Sequence, residues 1–348
     1  MKKLLQIPLL KIGAHGGTRV LIELANHAAQ HDFSVRLIYP KGRIFKKYDL
    51  HSSITLIETP AIGIAILDSL IFLILLPFYL RKGTLVANFF ITFYPVWVAS
   101  LLFNRPYIYL VQDIETWFTG FKGFFLNSLC KLTWHSKRMI SSSTYIANEL
   151  ERRGYVLFNK ISVGVAPSFF IQEKTSSTKF DLVVFPRTEI WKRTDRLLSI
   201  IKQYRQDYGN LSVLCVAQHP DLFAKFQALD CQCLQPMSEF ELIDAYDSSR
   251  IVLFTSEREG LGLPPLEGMA RGLPAIVYKN GGSCSYMLDG KNGFYIQSDD
   301  EAVAVASLHR LLTEENLYKE QSAIARKTAQ NLSMTVAFEQ LCAQLQAM

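Results

Sequence analysis

Residues 251–296 of the chain read IVLFTSEREGLGLPPLEGMARGLPAIVYKNGGSCSYMLDGKNGFYI, a segment that predicts one α/β unit. Ile251–Phe254 is a short apolar run with high strand propensity, which is typical of a buried parallel strand. A helix is expected over Pro264–Arg271, because Pro264 and Pro265 suit its first turn and a Gly-x-Pro sequence ends it. Pro274–Tyr278 then predicts the next strand. The segment therefore indicates a strand, a glycine-containing loop, a helix and a second strand.

The loop between the first strand and the helix predicts an anion site. Backbone N–H groups at a helix start are unpaired and lie at the positive end of the helix dipole, so they favour a phosphate. Glycines let such a ligand approach the backbone closely. Two carboxylates flank the loop, Glu259 before it and Glu267 inside the helix, and acids in this position suit hydroxyl groups of a sugar and of a ribose. The residues expected to face the anion are Gly260, Leu261, Gly262 and Leu263.

Seven residues separate Glu259 from Glu267, and the surrounding E-G-L-G-L-P-P-L-E-G-M-A-R-G-L-P-A-I-V resembles the E-x7-E signature of the family-four retaining glycosyltransferases. The trailing D-G-x-N-G agrees with that resemblance. It implies the GT-B fold, with two Rossmann-like domains whose parallel sheets face a cleft. It also implies a nucleotide-diphospho-sugar as donor substrate, a glycan or lipid-linked glycan as acceptor, and neither a cofactor nor a metal. The alternative is an ordinary α/β unit with surface glutamates.

The length of 348 residues suits two domains. Ser162–Pro167 resembles the family's N-G-V crossing into the second domain, with Val163 in place of asparagine. We therefore expect an acceptor-binding domain over residues 1–164, a nucleotide-sugar-binding domain over residues 165–332, and a last helix over residues 333–348 that packs back on the first domain. Residues 301–346 are helical throughout by their pattern.

Charge is unevenly distributed between the two halves. Residues 1–165 hold 19 Lys and Arg against 9 Asp and Glu, whereas residues 166–348 hold 18 against 22. A basic first half suits a phosphorylated acceptor or contact with an anionic membrane surface. Nucleic acid is disfavoured as a partner, because no recognisable nucleic-acid-binding module accompanies the charge.

Residues 4–30 predict a strand, a glycine turn and a helix with apolar residues at helical spacing. The turn reads G-A-H-G-G rather than G-x-G-x-x-G, and no acid follows the second strand at a suitable place, so NAD binding is disfavoured. The resemblance places Gly16 and Gly17 near the donor phosphates and the acceptor. A tight turn that lets the helix pack on its strand explains the same glycines equally well.

Ile62–Leu80 is almost entirely apolar and is long enough to span a bilayer. Asp68 and Pro77 argue against a span, and the segment lies where a Rossmann-like domain needs a crossover helix. We therefore expect a helix that is buried or lies at an interface, with membrane contact at most peripheral. The six cysteines suit buried, reduced thiols. Together these features predict a cytoplasmic protein that can associate with the inner face of the membrane.

Polar residues follow the apolar strand Pro106–Val111, at the end where α/β proteins bind ligands. The resembled family often has His-Asp there, and this chain has Gln112-Asp113. The pattern Q-D-x-E followed by aromatic residues resembles the rhamnosyltransferase branch. Asp113 and Glu115 are the acceptor-side candidates. A helix cap and a surface acid explain them equally well.

Arg187 follows the strand Phe180–Pro186, and Lys192 comes five residues later. This R-x4-K resembles the family's paired cations that neutralise the donor diphosphate, which the chemistry requires because the leaving group is anionic. Arg193 or Arg196 could substitute for Lys192. The resemblance also places the nucleobase beside the loop that contains Pro236.

Ser285 stands where the family has a glutamate in G-G-x-x-E, and Gln112 and Val163 also depart from the family pattern. These departures leave two alternatives to sugar transfer. One is a catalytically silent nucleotide-sugar-binding subunit of a polysaccharide assembly complex, and the other is a nucleotide-sugar epimerase of the same fold. A phosphorylase is disfavoured, since no pyridoxal lysine site is evident.

Overall fold

The computed structural model describes the chain except for residues 1, 14–15, 45–47, 117, 119, 171–175, 236–237 and 297–300. Two compact units divide it. The first comprises Met1–Val163 with Met334–Met348, and the second comprises Gly164–Ser333. The sequence placed the corresponding boundaries at 164/165 and 332/333. Val165 pairs with Ser333 through an isolated β-bridge, and Gly164 lies so close to Leu332 that a Cβ on it would overlap the carbonyl oxygen of Leu332. The segments around residues 164 and 333 are therefore in contact, and both of these residues belong to the second unit.

The first unit is a parallel sheet with helices. In the described residues its strand order is β3-β2-β1-β4-β5-β6-β7, so the order reverses between β1 and β4. Its elements are β1 (Lys3–Pro8), α1 (Gly16–Gln30), β2 (Phe33–Pro40), β3 (Thr55–Thr59), α2 (Ala65–Tyr79), β4 (Thr84–Ala87), α3 (Phe90–Phe103), β5 (Tyr107–Val111), α4 (Gly120–Thr133), β6 (Met139–Ser141), α5 (Thr144–Arg152) and β7 (Asn159–Lys160).

α2 is the crossover helix that the sequence predicted between β3 and β4. Asp68 lies in its first turn and is buried, where its carboxylate accepts the backbone N–H of Ile62 at 2.6 Å and of Gly63 at 3.2 Å. Arg43 pairs with the same carboxylate at 3.3 Å. The carboxylate therefore fixes the chain that enters α2, and a negative charge in the first turn also interacts favourably with the positive end of the helix dipole. In the described part of the chain, no helix combines the length and the apolarity needed to cross a bilayer.

The second unit is also a parallel sheet with helices, and its strand order is β10-β9-β8-β11-β12-β13. Its apolar strands are buried on both faces, as expected for a parallel sheet that helices cover. Its elements are β8 (Phe180–Val184), α6 (Thr194–Tyr208), β9 (Val213–Val216), α7 (Phe223–Gln227), β10 (Gln232–Leu234), α8 (Glu239–Asp247), β11 (Ser249–Phe254), α9 (Leu263–Ala270), β12 (Ala275–Tyr278), β13 (Gly293–Ile296), α10 (Glu301–Thr313) and α11 (Glu315–Gln330).

The expectation of one continuous helical region at the carboxyl end was wrong in detail. Breaks at Glu314 and at Asn331–Ser333 separate α10, α11 and α12 (Met334–Ala347). α12 belongs to the first unit, where it packs against α1. The expectation of buried thiols also fails at Cys284, which is exposed, and at Cys233, which is half-buried.

Candidate functional site

The predicted loop-to-helix site lies where β11 ends and α9 begins. Gly262 caps α9 with φ +81°, a left-handed conformation that glycine adopts without strain. Its carbonyl oxygen accepts the hydroxyl of buried Tyr286 at 3.0 Å. A Cβ at this position would come within 3.2 Å of that hydroxyl and 3.4 Å of Cγ of Glu259. The glycine therefore permits both the turn and the close approach of Glu259.

The second glycine turn packs directly on the first loop. The N–H of Gly282 donates to the carbonyl oxygen of Glu259 at 3.1 Å, and the amide of Asn280 donates to the carbonyl oxygen of Ser256 at 2.8 Å. A Cβ on Gly282 would overlap the backbone of Leu261 at 2.6 Å. The two loops, from neighbouring strands, are thus held together by a backbone contact that glycine allows at Gly282 and by the side chain of Asn280.

The prolines limit the donors that α9 can offer to an anion. Helix starts normally present several unpaired N–H groups, but Pro264 and Pro265 have none. In the first turn of α9 only Leu263 carries one. An anion bound here would therefore depend on side-chain cations and on the loop backbone of residues 260–263, which are the residues that the sequence predicts to face it.

Glu267 projects from α9 into a buried position, where one carboxylate oxygen accepts the hydroxyl of Tyr246 at 2.9 Å. The same hydroxyl lies 3.1 Å from the carbonyl oxygen of Pro264. Gly268 lets the helix approach β11, since a Cβ there would overlap Val252 at 2.4 Å. Close helix–strand packing and a tyrosine partner therefore fix the position of the Glu267 carboxylate.

Arg187 follows β8 at the carboxyl edge of the same sheet. Thr194 closes the turn after it, because its hydroxyl accepts the N–H of Arg187 at 3.1 Å and donates to its carbonyl oxygen. Burial lowers the pKa of the Arg187 guanidinium, and the charges of Glu189, Tyr246, Glu259 and Glu267 oppose that shift. Arginine stays protonated at neutral pH. A half-buried cation therefore lies within the electrostatic reach of both signature glutamates.

Lys192 contacts Glu259 directly, with 2.7 Å between the ammonium nitrogen and a carboxylate oxygen. The turn that carries Lys192 is attached to the loop after β11, because the hydroxyl of Thr255 donates to the carbonyl oxygen of Lys192 at 3.1 Å. The proposed substitutes lie elsewhere. Arg193 pairs with Glu257 and Asp195, and Arg196 pairs with Glu301 at 2.8 Å. Lys192 is therefore the cation of this turn that contacts a signature glutamate.

The first unit brings fewer of its candidates together. Gly16 and Gly17 begin α1, and the side-chain amide oxygen of Gln112 lies 3.4 Å from where a Cβ of Gly17 would be. Asp113 accepts the N–H of Ile114 at 2.8 Å. This contact is local to the loop after β5.

Glu115 is buried, and its carboxylate accepts the N–H of Phe90 at 3.0 Å, at the start of α3. Burial raises the pKa of Glu115 well above its ordinary value, although that hydrogen bond opposes the shift. Its structural contact is therefore a helix cap, one of the two explanations that the sequence left open.

The last two residues that the sequence analysis singled out are Pro236 and Ser285. Pro236, expected beside the nucleobase, lies outside the described residues. Ser285 ends a short turn after Gly282, and its hydroxyl is buried without a hydrogen-bond partner in the described residues.

The comparisons with known proteins agree with this geometry in the second unit. Residues 167–328 match the protein family described as "Glycosyl transferases group 1". Residues 167–328 form a group 1 glycosyltransferase domain. Among curated proteins, the "Putative glycosyltransferase EpsD" of Bacillus subtilis is 37% identical over 101 residues, which cover 29% of this chain and 26% of that protein. The matched segments span at most about a quarter of the curated relatives.

Solved structures extend the likeness of fold to both units. Sucrose-phosphate synthase from Thermosynechococcus elongatus has a TM-score of 0.83 at 15% identity, covering 99% of this chain and 100% of that one. Anabaena HepE, solved in complex with UDP-glucose, has a TM-score of 0.76 at 14% identity with coverage of 99% and 100%. Two Rossmann-like units with parallel sheets are the GT-B fold, as predicted.

Sequence reasoning missed several residues that shape the group 1 glycosyltransferase domain. Tyr246 and Tyr286 hold Glu267 and Gly262, and neither stands at a distinctive spacing. Thr255 follows β11 directly, and Asn280 comes two residues after the end of β12. Polar residues just past the carboxyl end of a parallel strand are themselves a signal for the ligand edge, and that signal could have found these two.

Proposed function

We propose that the chain is a retaining glycosyltransferase, which moves a sugar from a nucleotide-diphospho-sugar to a hydroxyl group of a glycan or lipid-linked glycan. One observation carries the proposal: Arg187, Lys192, Glu259 and Glu267 come from three separate segments and converge at the carboxyl edge of one parallel sheet. Two cations and two carboxylates in this arrangement suit a ligand that combines a diphosphate with hydroxyl groups.

The cations would act on the leaving group. When the bond between the anomeric carbon and the phosphate oxygen breaks, negative charge develops on a nucleoside diphosphate. Fixed positive charge at that position lowers the barrier, because it stabilises the transition state more than the ground state. Arg187, with Lys192 and the backbone N–H groups of Gly260–Leu263, would supply that charge without a metal.

The ion pair between Lys192 and Glu259 supports a role for both residues in donor binding. An incoming diphosphate competes for the Lys192 ammonium, and Glu259 is then released to accept hydroxyl groups of the transferred sugar. Glu267, fixed by Tyr246, would accept the ribose hydroxyls. Binding the donor therefore exchanges one charge-assisted contact for several.

The chemistry would need no protein nucleophile. The acceptor oxygen bonds to the anomeric carbon on the face that the diphosphate leaves, and its proton passes to the departing phosphate oxygen. Configuration at the anomeric carbon is thereby retained. Gly16, Gly17 and Asp113 belong to the acceptor side of this proposal.

The comparisons suggest where to begin with donors and acceptors. HepE was solved with UDP-glucose, which supports uridine diphosphate sugars as the first donors to test. The Q-D-x-E stretch supports rhamnosyl donors as the second. A polysaccharide precursor is the acceptor class that we favour, at the inner face of a membrane.

The test is an assay of the full chain with nucleotide-diphospho-sugars of several bases, with and without an extract of lipid-linked glycans. Release of nucleoside diphosphate that depends on the acceptor, and that Arg187→Ala abolishes, is the expected result. Free sugar released without any acceptor would indicate an epimerase instead. Nucleotide binding without turnover under any condition would indicate the silent subunit.

A further inference from the structure

Three neighbouring helices of the first unit expose a large amount of apolar side chain. α2 packs against α3, α3 packs against α4, and their inward residues share one buried cluster. We call their outward surface the apolar face. Its residues are Ile66, Leu67, Leu70, Ile74 and Phe78 on α2, Trp97, Leu101 and Leu102 on α3, and Phe124, Phe125 and Leu132 on α4.

The exposed residues of α2 form a continuous stripe. Ile66, Leu70, Ile74 and Phe78 recur every four residues, which places them along one side of the helix from its first turn to its last. Ile66 is 80% exposed and Ile74 is 62% exposed. Contiguous exposure of this kind marks a surface that meets another apolar phase or a partner, because folding alone gains nothing from it.

Acidic residues are almost absent from this part of the sequence. Residues 59–112 contain one acid, Asp68, and residues 116–148 contain none. Asp68 is buried and paired with Arg43, so it adds no charge to the apolar face. The same two stretches contain seven cations, namely Arg81, Lys82, Arg105, Lys122, Lys131, Lys137 and Arg138.

Most of these cations lie at one edge of the sheet. α2, α3 and α4 each run from the carboxyl end of one strand to the amino end of the next, so the helix ends share the amino edge. Arg81 lies 5.7 Å from the ring centre of Phe78 and 5.6 Å from that of Phe103, which brings the ends of α2 and α3 together. We call this set the cationic edge. It comprises the exposed residues Arg81, Lys82, Arg105, Lys131, Lys137 and Arg138.

We propose that the apolar face and the cationic edge together bind the surface of an anionic lipid bilayer. The apolar side chains of α2, α3 and α4 enter the boundary between headgroups and acyl chains, and the cationic edge contacts lipid phosphates. The helices lie on the bilayer, which agrees with their lengths of 15, 14 and 14 residues. The inference rests on the first unit alone and does not depend on the proposed sugar transfer.

Charge decides between a lipid surface and a second copy of the chain. A contact of two copies through this surface would bury the apolar face of each copy, but neither copy offers an exposed acid in the surface-forming stretches to neutralise the cations of the other. Like charges in contact oppose association. Lipid phosphates neutralise the same cations, so the anionic bilayer is the occupant that the charge pattern fits.

The main experiment is sedimentation of the full chain with vesicles of phosphatidylcholine alone or mixed with phosphatidylglycerol. We expect binding to the mixed vesicles, weakened by salt because exposed charges are screened. The double variant Ile66→Gln/Ile74→Gln should bind about a hundredfold more weakly, since two apolar side chains no longer leave water. The matched control Val303→Gln/Val336→Gln changes exposed valines on α10 and α12 and should bind like the parent chain.

A second variant pair tests the cationic edge. Each Lys or Arg beside an anionic surface contributes roughly fivefold to partitioning. Lys82→Gln/Arg105→Gln/Lys131→Gln should therefore weaken binding on the order of a hundredfold. The control Lys202→Gln/Lys225→Gln/Lys291→Gln removes the same charge from exposed positions of the second unit. Equal losses in both variants would show that net charge alone drives binding, and would overturn the proposal.

Quenching of tryptophan fluorescence by lipids gives a measurement that does not depend on the net charge of the chain. Trp97 belongs to the apolar face, so brominated lipids should quench its emission, and Trp97→Phe should remove most of that quenching. Thermal unfolding of every variant checks that each is folded. Unchanged quenching in Trp97→Phe overturns the proposal. So does a dimer in sedimentation equilibrium that Ile66→Gln/Ile74→Gln dissociates, with no binding to vesicles.

Discussion

The carboxyl edges of the two sheets hold their candidate residues in different ways. In the second unit, Lys192 contacts Glu259, Tyr246 holds Glu267, and backbone hydrogen bonds join the two glycine loops. In the first unit, Asp113 bonds the next residue of its own loop, and Glu115 caps a helix. In the second unit a candidate cation contacts a candidate carboxylate from another segment, whereas the hydrogen bonds described for Asp113 and Glu115 are with backbone N–H groups, those of Ile114 and of Phe90 at the start of α3.

This difference follows from what each edge would bind under the proposed function. Every donor carries the same diphosphate, so its binding site can use fixed charges whose positions are set before the ligand arrives. An acceptor offers only a neutral hydroxyl group at the reacting position. We therefore expect substitutions in the second unit to have large effects on catalysis, and single substitutions in the first unit to have smaller ones.

The largest effect is expected from Arg187→Ala. Loss of a cation that stabilises the leaving diphosphate should lower kcat by about 10²- to 10³-fold. Asp113→Asn should lower it by only about tenfold, because no charge develops beside it in the proposed reaction. Steady-state kinetics on both variants measure the contrast. A decrease in kcat for Asp113→Asn as large as that for Arg187→Ala would contradict the proposed difference between the two edges.

The next effect separates two adjacent cations. Lys192→Ala removes a charge-assisted contact and should lower kcat/KM roughly 10- to 100-fold. Arg193→Ala removes a neighbouring cation that pairs with Glu257 and Asp195 instead. It should change kcat/KM by no more than about threefold, since ion pairs to exposed acids such as Glu257 and Asp195 contribute little. Equal losses would indicate that only the local positive charge matters.

A third contrast concerns two glycines with positive φ in the second unit. Gly262 has φ +81° and a crowded Cβ position, whereas Gly290 has φ +72° and nothing within 4 Å. Alanine should cost about 1–2 kcal/mol of unfolding free energy at either site. Only Gly262→Ala should also weaken nucleotide binding, because it displaces Tyr286 or Glu259. Urea unfolding and calorimetric titration measure the two effects separately.

The smallest effect on catalysis is expected at Glu115, where the prediction concerns the pH dependence of stability. Its pKa is raised in the folded chain, so the folded state binds more protons than the unfolded state above the ordinary pKa of a glutamate. Stability should then fall as pH rises through that range, by at most about 1.4 kcal/mol per pH unit. Glu115→Gln should flatten this dependence in urea unfolding as the pH rises above the ordinary pKa of a glutamate. An unchanged slope would contradict the buried, raised-pKa assignment.

The sequence was informative where backbone conformation and charge impose residue types. Gly262, Gly282 and the spacing of the two glutamates follow from such requirements, and the strands and α9 were placed within a few residues. The sequence could not reveal the tyrosine partners, because many side chains can supply a hydroxyl group to a buried carboxylate. It also could not show that Arg193 and Arg196 pair elsewhere, since neighbouring cations in a turn are equivalent until the acids of other segments are placed.

The central claim is that the carboxyl edge of the sheet in the second unit binds a nucleoside diphosphate through Glu267 and the cations Arg187 and Lys192. The most direct test is calorimetric titration of the full chain with nucleoside diphosphates, alongside Glu267→Ala and Tyr246→Phe. We expect one base to bind the parent chain, Glu267→Ala to bind it about 10- to 100-fold more weakly, and Tyr246→Phe to lose less than tenfold. No binding of any nucleoside diphosphate to the parent chain, or equal binding to parent and Glu267→Ala, would contradict the account.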